Sequence, residues 1–271
     1  MSPQLNNINE ELQQWLTLLK LNVFKAKFQA LAEQCENEKR SYVEFLHELA
    51  WRENEQRQQK RMASLIKQAP LPRNKLLSDF DISRILGLAP SQVLSLASGD
   101  FMDRYGNILI FGNPGTGKTH LSIGLAREWC LLGRKVRFFT AANLVQLLSQ
   151  AKAQLRLTQC IKQLDRFDVI VIDDISYVPF EKSETDVLFT LLSERYAMRS
   201  VVIISNLPFS QWGSVFKAPM TTSAAIDRLV HHATILELNT SSYHAECAKN
   251  KLDKTAKKTV KVTNKKEVAT A

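Results

Sequence analysis

The chain has 271 residues, 45% of them hydrophobic, and a formal net charge of +9. That length holds one large domain, or a large one and a small one, around a sizeable core. The excess of positive charge points to a polyanionic partner, most often nucleic acid. No run reaches the roughly 18 apolar residues of a membrane span. The N-terminus, MSPQLNNINEELQQWLTLLK, lacks the basic-then-apolar order of a signal peptide, so a cytoplasmic location is the default. Cys35, Cys130, Cys160 and Cys247 show no C-x-x-C spacing and no paired histidine at finger distance, which argues against a zinc module. His231 and His232, if helical, point about 100° apart and read as packing or surface residues.

Residues 8–70 read as helical. Leu12, Trp15, Leu16, Leu19 and Val23 recur at spacings of three and four, and Tyr42, Phe45, Leu46 and Leu49 begin a second pattern. This pattern runs into WRENEQRQQKRMASLIKQA and ends at Pro70 and Pro72. Residues 1–73 therefore form a small helical domain with a long basic helix. Within 52–73, six Lys and Arg stand against Glu53 and Glu55, a net charge of +4. Arg52, Arg57, Lys60, Arg61 and Lys67 are the candidate DNA contacts. A solvated helix face would carry the same charges. The stretch LLSDFDIS reads as a short connector.

From Asn107 onward, short β-branched runs alternate with helical patterns: NILIF (107–111), KVRFF (135–139), DVIVI (168–172), SVVII (200–204) and TILEL (234–238). Strands that are apolar on both faces, with helices between them, imply a parallel sheet covered on both sides, a three-layer α/β fold. This domain spans 74–245. Residues 248–271 carry eight lysines against Asp253 and Glu267, a net charge of +6. Their low apolar content predicts a basic, disordered tail over 246–271. The tail is either solubilising or polyanion-binding.

Gly112-Asn113-Pro114-Gly115-Thr116-Gly117-Lys118-Thr119 fits G-x-x-x-x-G-K-[ST], and it follows a predicted strand and opens a predicted helix, which His120 continues. The glycines let backbone N–H groups surround phosphate oxygens, and the helix presents its positive end to the same anion. Lys118 is expected to reach the β- and γ-phosphates of ATP, and the Thr119 hydroxyl to bind Mg²⁺. A P-loop enzyme also needs a carboxylate on a neighbouring strand. DVIVIDD delivers Asp173 to the carboxyl end of the sheet as a Mg²⁺ residue. Asp174 either orients the attacking water or caps the next segment. Asn206, after the next strand, is placed to hold that water. Arg228, on SAAIDRLVHH, either completes a neighbouring subunit's site as an arginine finger or pairs with Asp227 or Glu237. Asn250-Lys251-Leu252-Asp253 matches the N-K-x-D guanine signature, but it follows no core strand and reads as coincidence.

Together, FGNPGTGKTHLS, VIDDISYVP, SNLPFSQW and AAIDRLVHHA resemble the IstB family of insertion-sequence transposition helpers. These are AAA+ ATPases close to DnaC-type helicase loaders. The resemblance runs from the basic helix to about residue 243. It implies a P-loop AAA+ core with Asp173 and Asp174 as the Walker B pair, Asn206 as first sensor and Arg228 as the trans-acting finger. It further implies homo-oligomerisation on double-stranded DNA and a cognate transposase as partner. Asp174 stands where many AAA+ proteins have Glu, and Ser176 where the family often has Gly. Ser242-Tyr243-His244 lacks the arginine of the family's usual SYR, which removes the obvious second sensor. A helicase loader, and a DNA-binding scaffold with structural ATP, are the rival expectations.

Overall fold

A computed structural model describes residues 3–72, 74–85, 87–175, 180–208, 211–212 and 226–238. The lysine-rich tail, Ser176 and the segment 242–253 lie outside the described residues. The chain divides into two compact units, Met1–Ser64 and Leu65–Ala271.

The first unit is helical. It contains α1 (Pro3–Leu18), α2 (Asn22–Asn37) and most of α3 (Tyr42–Gln68), whose last residues belong to the second unit. The apolar stripe expected to continue from Leu12 to Val23 is interrupted, because Lys20 adopts a left-handed conformation (φ 56°) that ends α1. Of that stripe, Leu16 and Val23 are buried, on different helices, while Trp15 and Leu19 are exposed. Leu31, Cys35 and Leu49 form a small core with Phe24, Phe28 and Phe45 packed against it. One buried carboxylate joins the helices. Glu53 of α3 accepts the N–H of Val23 (2.8 Å) in the first turn of α2, and its other oxygen pairs with Arg57 (2.8 Å). The α2 start lacks a side-chain cap of its own, so Glu53 supplies from a distance what an N-cap residue would supply locally.

Among the described residues the second unit holds five parallel strands: β1 (Asn107–Phe111), β2 (Val136–Thr140), β3 (Val169–Asp173), β4 (Ser200–Ser205) and β5 (Ala233–Glu237), in the order β2-β3-β4-β1-β5. Helices α4 (Pro90–Ala97), α5 (Asp100–Asp103), α6 (Lys118–Leu131), α7 (Ala141–Ala153), α8 (Leu157–Leu164) and α9 (Lys182–Arg195) surround it. Alternate strand residues go to opposite layers. Leu109, Ile170, Ile172, Val201 and Ile203 pack with Leu144, Leu148, Leu188 and Leu191. Ile108, Ile110, Val169, Val171, Val202 and Ile204 pack with Leu121, Leu125, Trp129 and Leu96. This is the three-layer fold expected from runs apolar on both faces.

The strands match the predicted runs to within one residue. β2 and β3 each start one residue late, because Lys135 and Asp168 bond to each other ahead of the ladder: Lys135 N–H donates to Asp168 Oδ2 and Asp168 N–H to Lys135 O, both 2.8 Å. At the same edge Arg195, 1% exposed, donates to the carbonyls of Leu164, Phe167 and Ser200 (each 3.0 Å) and to Asp165 Oδ1 (3.3 Å). Burial brings its pKa down to about 10, against the pull of Asp165. One guanidinium fork thus ties α8 to the start of β4.

Candidate nucleotide site

The strand register brings three chain segments to one edge of the sheet. Phe111 pairs with Ser205, and Ile172 with Ile203, so the residues that follow β1, β3 and β4 emerge together. They are Gly112, Asp173-Asp174 and Asn206. Carboxyl ends of parallel strands are where open α/β sheets collect ligands.

The loop of residues 112–119 connects β1 to α6. Gly112, Gly115 and Gly117 all hold positive φ, the last at 93°, a backbone that side chains rarely adopt and that turns N–H groups inward. Thr116 Oγ1 donates to Asn113 O (2.9 Å) and keeps the loop closed. Asn113 and Pro114 are exposed on the rim, while Gly115, Gly117, Thr119 and His120 are half-buried. Lys118 is 5% exposed, and its ammonium donates to the carbonyls of Gly112 (2.6 Å) and Asn113 (2.7 Å). Burial pushes its pKa down, while Asp173 and Asp174 raise it. A buried cation held by loop carbonyls, beside a glycine turn at the N-terminus of α6, suits an anion.

Asp173 ends β3 and is 4% exposed. Its Oδ1 accepts from Thr119 Oγ1 (3.2 Å) and from the N–H of Asp174 (3.1 Å). Burial raises its pKa and Asp174 adds to that, while Thr119, the Asp174 N–H and Lys75 draw it back. A hydroxyl and a carboxylate oxygen converging beside a phosphate cradle are hard donors suited to Mg²⁺, which needs few protein ligands when phosphate and water supply the rest. Among the described residues no cluster of three or more His, Cys, Asp or Glu offers a rival metal site.

Asp174 is exposed and adopts φ 59°, the left-handed region that Asp tolerates better than most residues. Among the described residues the next helix is α9, and its N-cap is Glu181, whose N–H is taken by Glu184 Oε2 (2.9 Å). Asn206 is half-buried directly after β4. Its position is fixed from behind by Trp212, fully buried, whose indole N–H donates to Leu207 O (3.1 Å) and Ser205 Oγ (3.3 Å). SNLPFSQW thus contains an anchor as well as a candidate sensor.

Arg228 stands apart from these residues. It is exposed on a helical turn (226–230), and its Nη1 donates to Ser193 Oγ (2.8 Å). The next residue, Leu229, gives its carbonyl to Asn107 Nδ2 (3.2 Å), at the first residue of β1. Arg228 therefore lies at the amino edge of the sheet, about one strand length, roughly 15 Å, from its own phosphate loop. His231 and His232 follow in a turn, not on a helix. Their rings meet with Nδ1 to Nε2 at 2.9 Å, and both are exposed, as surface residues.

In the first unit Arg52 pairs with Glu48, and Arg57 bonds both Glu53 and the carbonyl of Lys20 (2.9 Å). Lys60 donates to Gln56 (3.1 Å), and Arg61 is exposed. Lys67 is exposed in the part of α3 that belongs to the second unit.

Sequence reasoning missed a wall of the site. The segment taken for a connector lies along α6. His120 Nε2 meets Leu76 O at 2.8 Å, Arg127 donates to Pro72 O (3.0 Å), and the rings of Phe80 and His120 are 5.6 Å apart. Gly124, in mid-helix, was the available signal, since a glycine inside a helical pattern often marks close backbone approach.

The model of the IstB-like ATP binding protein family matches residues 14–251. The chain belongs to that family. Among its relatives, one named as an insertion-sequence ATP-binding protein, from Sinorhizobium fredii, is 39% identical over 85% of this chain and 78% of its own length. The ATP-binding protein named for insertion sequence IS21 of Pseudomonas aeruginosa is 35% identical over 86% and 88%. The fold of the IstB-like core recurs in solved structures at low identity. The DnaC helicase loader is 18% identical, with a TM-score of 0.51 over 61% of this chain and 97% of that one. DnaA from Aquifex aeolicus, bound to AMPPCP, is 18% identical, with a TM-score of 0.51 over 62% and 51%. The second unit thus shares the fold of these two proteins, built around the phosphate loop. No helix among the described residues is long and apolar enough to cross a membrane.

Proposed function

We propose that this IstB-like chain hydrolyses ATP with Mg²⁺ and uses its nucleotide state to control assembly on double-stranded DNA, where it recruits or stimulates a cognate transposase. The observation that carries this reading is the match to an insertion-sequence ATP-binding family over 14–251, joined to a phosphate loop whose Lys118 and Thr119 sit beside Asp173. In this reading residues 112–120 bind ATP, and Thr119 and Asp173 hold Mg²⁺. The metal would neutralise charge on the transferring phosphoryl group. Asp174, exposed at the loop rim, orients the attacking water and Asn206 fixes it from the adjoining strand. Arg228, remote from its own loop, is lent to a neighbouring copy. Residues 1–73 serve DNA binding and oligomerisation, residues 74–245 are the motor, and 246–271 adds basic charge. The medium is the cytoplasm, where ATP and DNA are available.

The DNA grip is chiefly electrostatic, through Lys60, Arg61 and Lys67 and through Arg52 and Arg57, whose guanidinium groups also bind their own helices. Such contacts tolerate sequence and weaken steeply with salt. The test is DNA binding and oligomer size with ATP and with ADP. ATP is expected to raise both, and Lys118→Ala to abolish the difference. If ATP-dependent assembly survives in Lys118→Ala, the mechanism is wrong.

The fold likeness to DnaC favours a second reading, a helicase loader, but at 18% identity it speaks for fold alone. Capture of the replicative helicase and not the transposase in a pull-down would select the loader. Absence of turnover with DNA present would select a scaffold with structural ATP.

A further inference from the structure

The helical turn that carries Arg228 is fastened to the amino edge of the sheet. Leu229 is buried and packs into the core. Asn107, the first residue of β1 and itself buried, grips the stretch that follows Arg228. Its Nδ2 donates to Leu229 O (3.2 Å) and its backbone N–H to His232 O (2.8 Å), while its Oδ1 accepts the N–H of Val201 (3.0 Å) in β4. The backbone after Arg228 is thereby tied to two strands. The Arg228 side chain has a holder of its own. Its Nη1 donates to Oγ of Ser193 (2.8 Å), half-buried in the last turn of α9, where the carbonyl end of a helix favours a cation.

Two neighbouring arginines show how different that hold is. Arg195 and Arg199 line the same small cleft as Arg228. Arg195 commits its guanidinium to three backbone carbonyls and Asp165, and Arg199 donates its Nε to Asp165 O (3.0 Å). Arg228 is exposed, and among the described residues its one polar partner is a neutral hydroxyl, with no carboxylate paired to it. A hydroxyl orients a guanidinium but holds it less strongly than a phosphate oxygen does.

We propose that Ser193 is a positioning residue for Arg228, holding the guanidinium in a set orientation at the amino edge until a neighbouring copy's triphosphate takes it over. The inference rests on the reading of Arg228 as a residue lent to a neighbour. A long exposed side chain left alone samples many rotamers, and ordering it during the reaction slows that reaction. One bond at Nη1 narrows the ensemble beforehand and leaves other guanidinium donors for the phosphate.

Steady-state ATP turnover by the full chain on DNA tests this, with nucleotide affinity and melting temperature measured beside it. Ser193→Ala is expected to lower kcat about fivefold with KM and Tm nearly unchanged, because Ser193 lies at the edge opposite its own phosphate loop. Ser193→Thr, which keeps the hydroxyl, is expected to retain most of the rate. Ser193→Ala combined with Arg228→Ala is expected to be no slower than Arg228→Ala alone, since the hydroxyl acts only through the arginine. Mixing locates the defect. Lys118→Ala copies keep both Ser193 and Arg228, and can lend that pair to Ser193→Ala copies whose phosphate loops are intact. An equal mixture is expected to raise turnover per intact loop about threefold over Ser193→Ala alone. A packing fault inside the Ser193→Ala copy would stay in that copy, and mixing would not repair it. A wild-type rate in Ser193→Ala, a loss that the mixture leaves unrepaired, or a further loss in the double variant overturns the proposal. Arg228→Ala separates the two levels. If it turns over ATP normally, the reading of Arg228 falls and the role of Ser193 with it. If it is inactive while Ser193→Ala matches wild type, only the role of Ser193 falls.

Discussion

Lys118 and Asp173 are both charged, both nearly inaccessible, and both placed where charge is costly without a ligand. The folded site therefore stores unfavourable electrostatics that a polyanion and a divalent cation would relieve. Asp173 carries the clearer consequence. Burial and Asp174 hold its pKa above the usual aspartate value. A carboxyl raised in the folded state costs stability once pH climbs through its folded pKa and costs nothing below the unfolded one. Asp173→Asn is thus expected to raise the nucleotide-free melting temperature by about 2–4 °C at neutral pH. The gain should shrink on acidification towards pH 4. The same variant should lose the extra stabilisation that Mg²⁺ adds to ATP, measured by thermal melts with and without chelator. A variant that melts below wild type at neutral pH would contradict the electrostatic account.

At the scale of elements, two buried charges join segments that hydrophobic pattern alone leaves separate. Arg195 ties α8 to β4, and Glu53 ties α3 to the start of α2. For Glu53, burial raises the pKa, but Arg57 and the N–H groups of Val23 and Phe24 outweigh it and leave the carboxyl below its usual value. A depressed carboxyl stabilises the fold above its unfolded pKa, and that contribution is lost as pH falls through the folded one. Glu53→Gln is expected to cost about 1–3 kcal/mol of stability in the helical unit at pH 7, with the difference from wild type vanishing in acid. Urea unfolding followed by helix content at pH 7 and pH 4 checks both parts. The five strands and the phosphate-loop helix were legible because each satisfies a local rule: β-branched runs for buried parallel strands, and Gly-x-x-x-x-Gly-Lys-Thr for the turn. The breaks between α1, α2 and α3 were not legible, since Lys20 and Lys39 adopt left-handed turns that their residue type does not announce. Nor was the place of LLSDFDIS along α6, because the stretch has the composition of a linker and acquires its place only through Gly124 and Gly117.

At the scale of the whole molecule, the position of Arg228 matters most. It sits at the amino edge of the sheet while Lys118 sits at the carboxyl edge, so one copy cannot bring both to one nucleotide. If Arg228 serves catalysis, it serves a neighbour. Lys118→Ala and Arg228→Ala are each expected to be nearly inactive, the latter by about 10³-fold or more. Mixed in equal amounts with DNA, they should recover measurable ATP turnover, because some contacts then pair an intact loop with an intact arginine. A mixture no more active than its parts would argue that Arg228 only anchors Ser193.

By itself the sequence determined what is set by local spacing: a three-layer parallel α/β core, a phosphate loop and a carboxylate at the end of the third strand. Each follows from residues a few positions apart whose relation is fixed by helix and strand periodicity. Only the tertiary structure decided which side chains share an edge of the sheet. It put Asp173 within hydrogen-bonding distance of Thr119, Arg228 at the far edge, and Pro72, Leu76 and Leu77 along α6. Those relations span tens of residues and depend on strand order and close packing. No spacing rule along the chain encodes such an order.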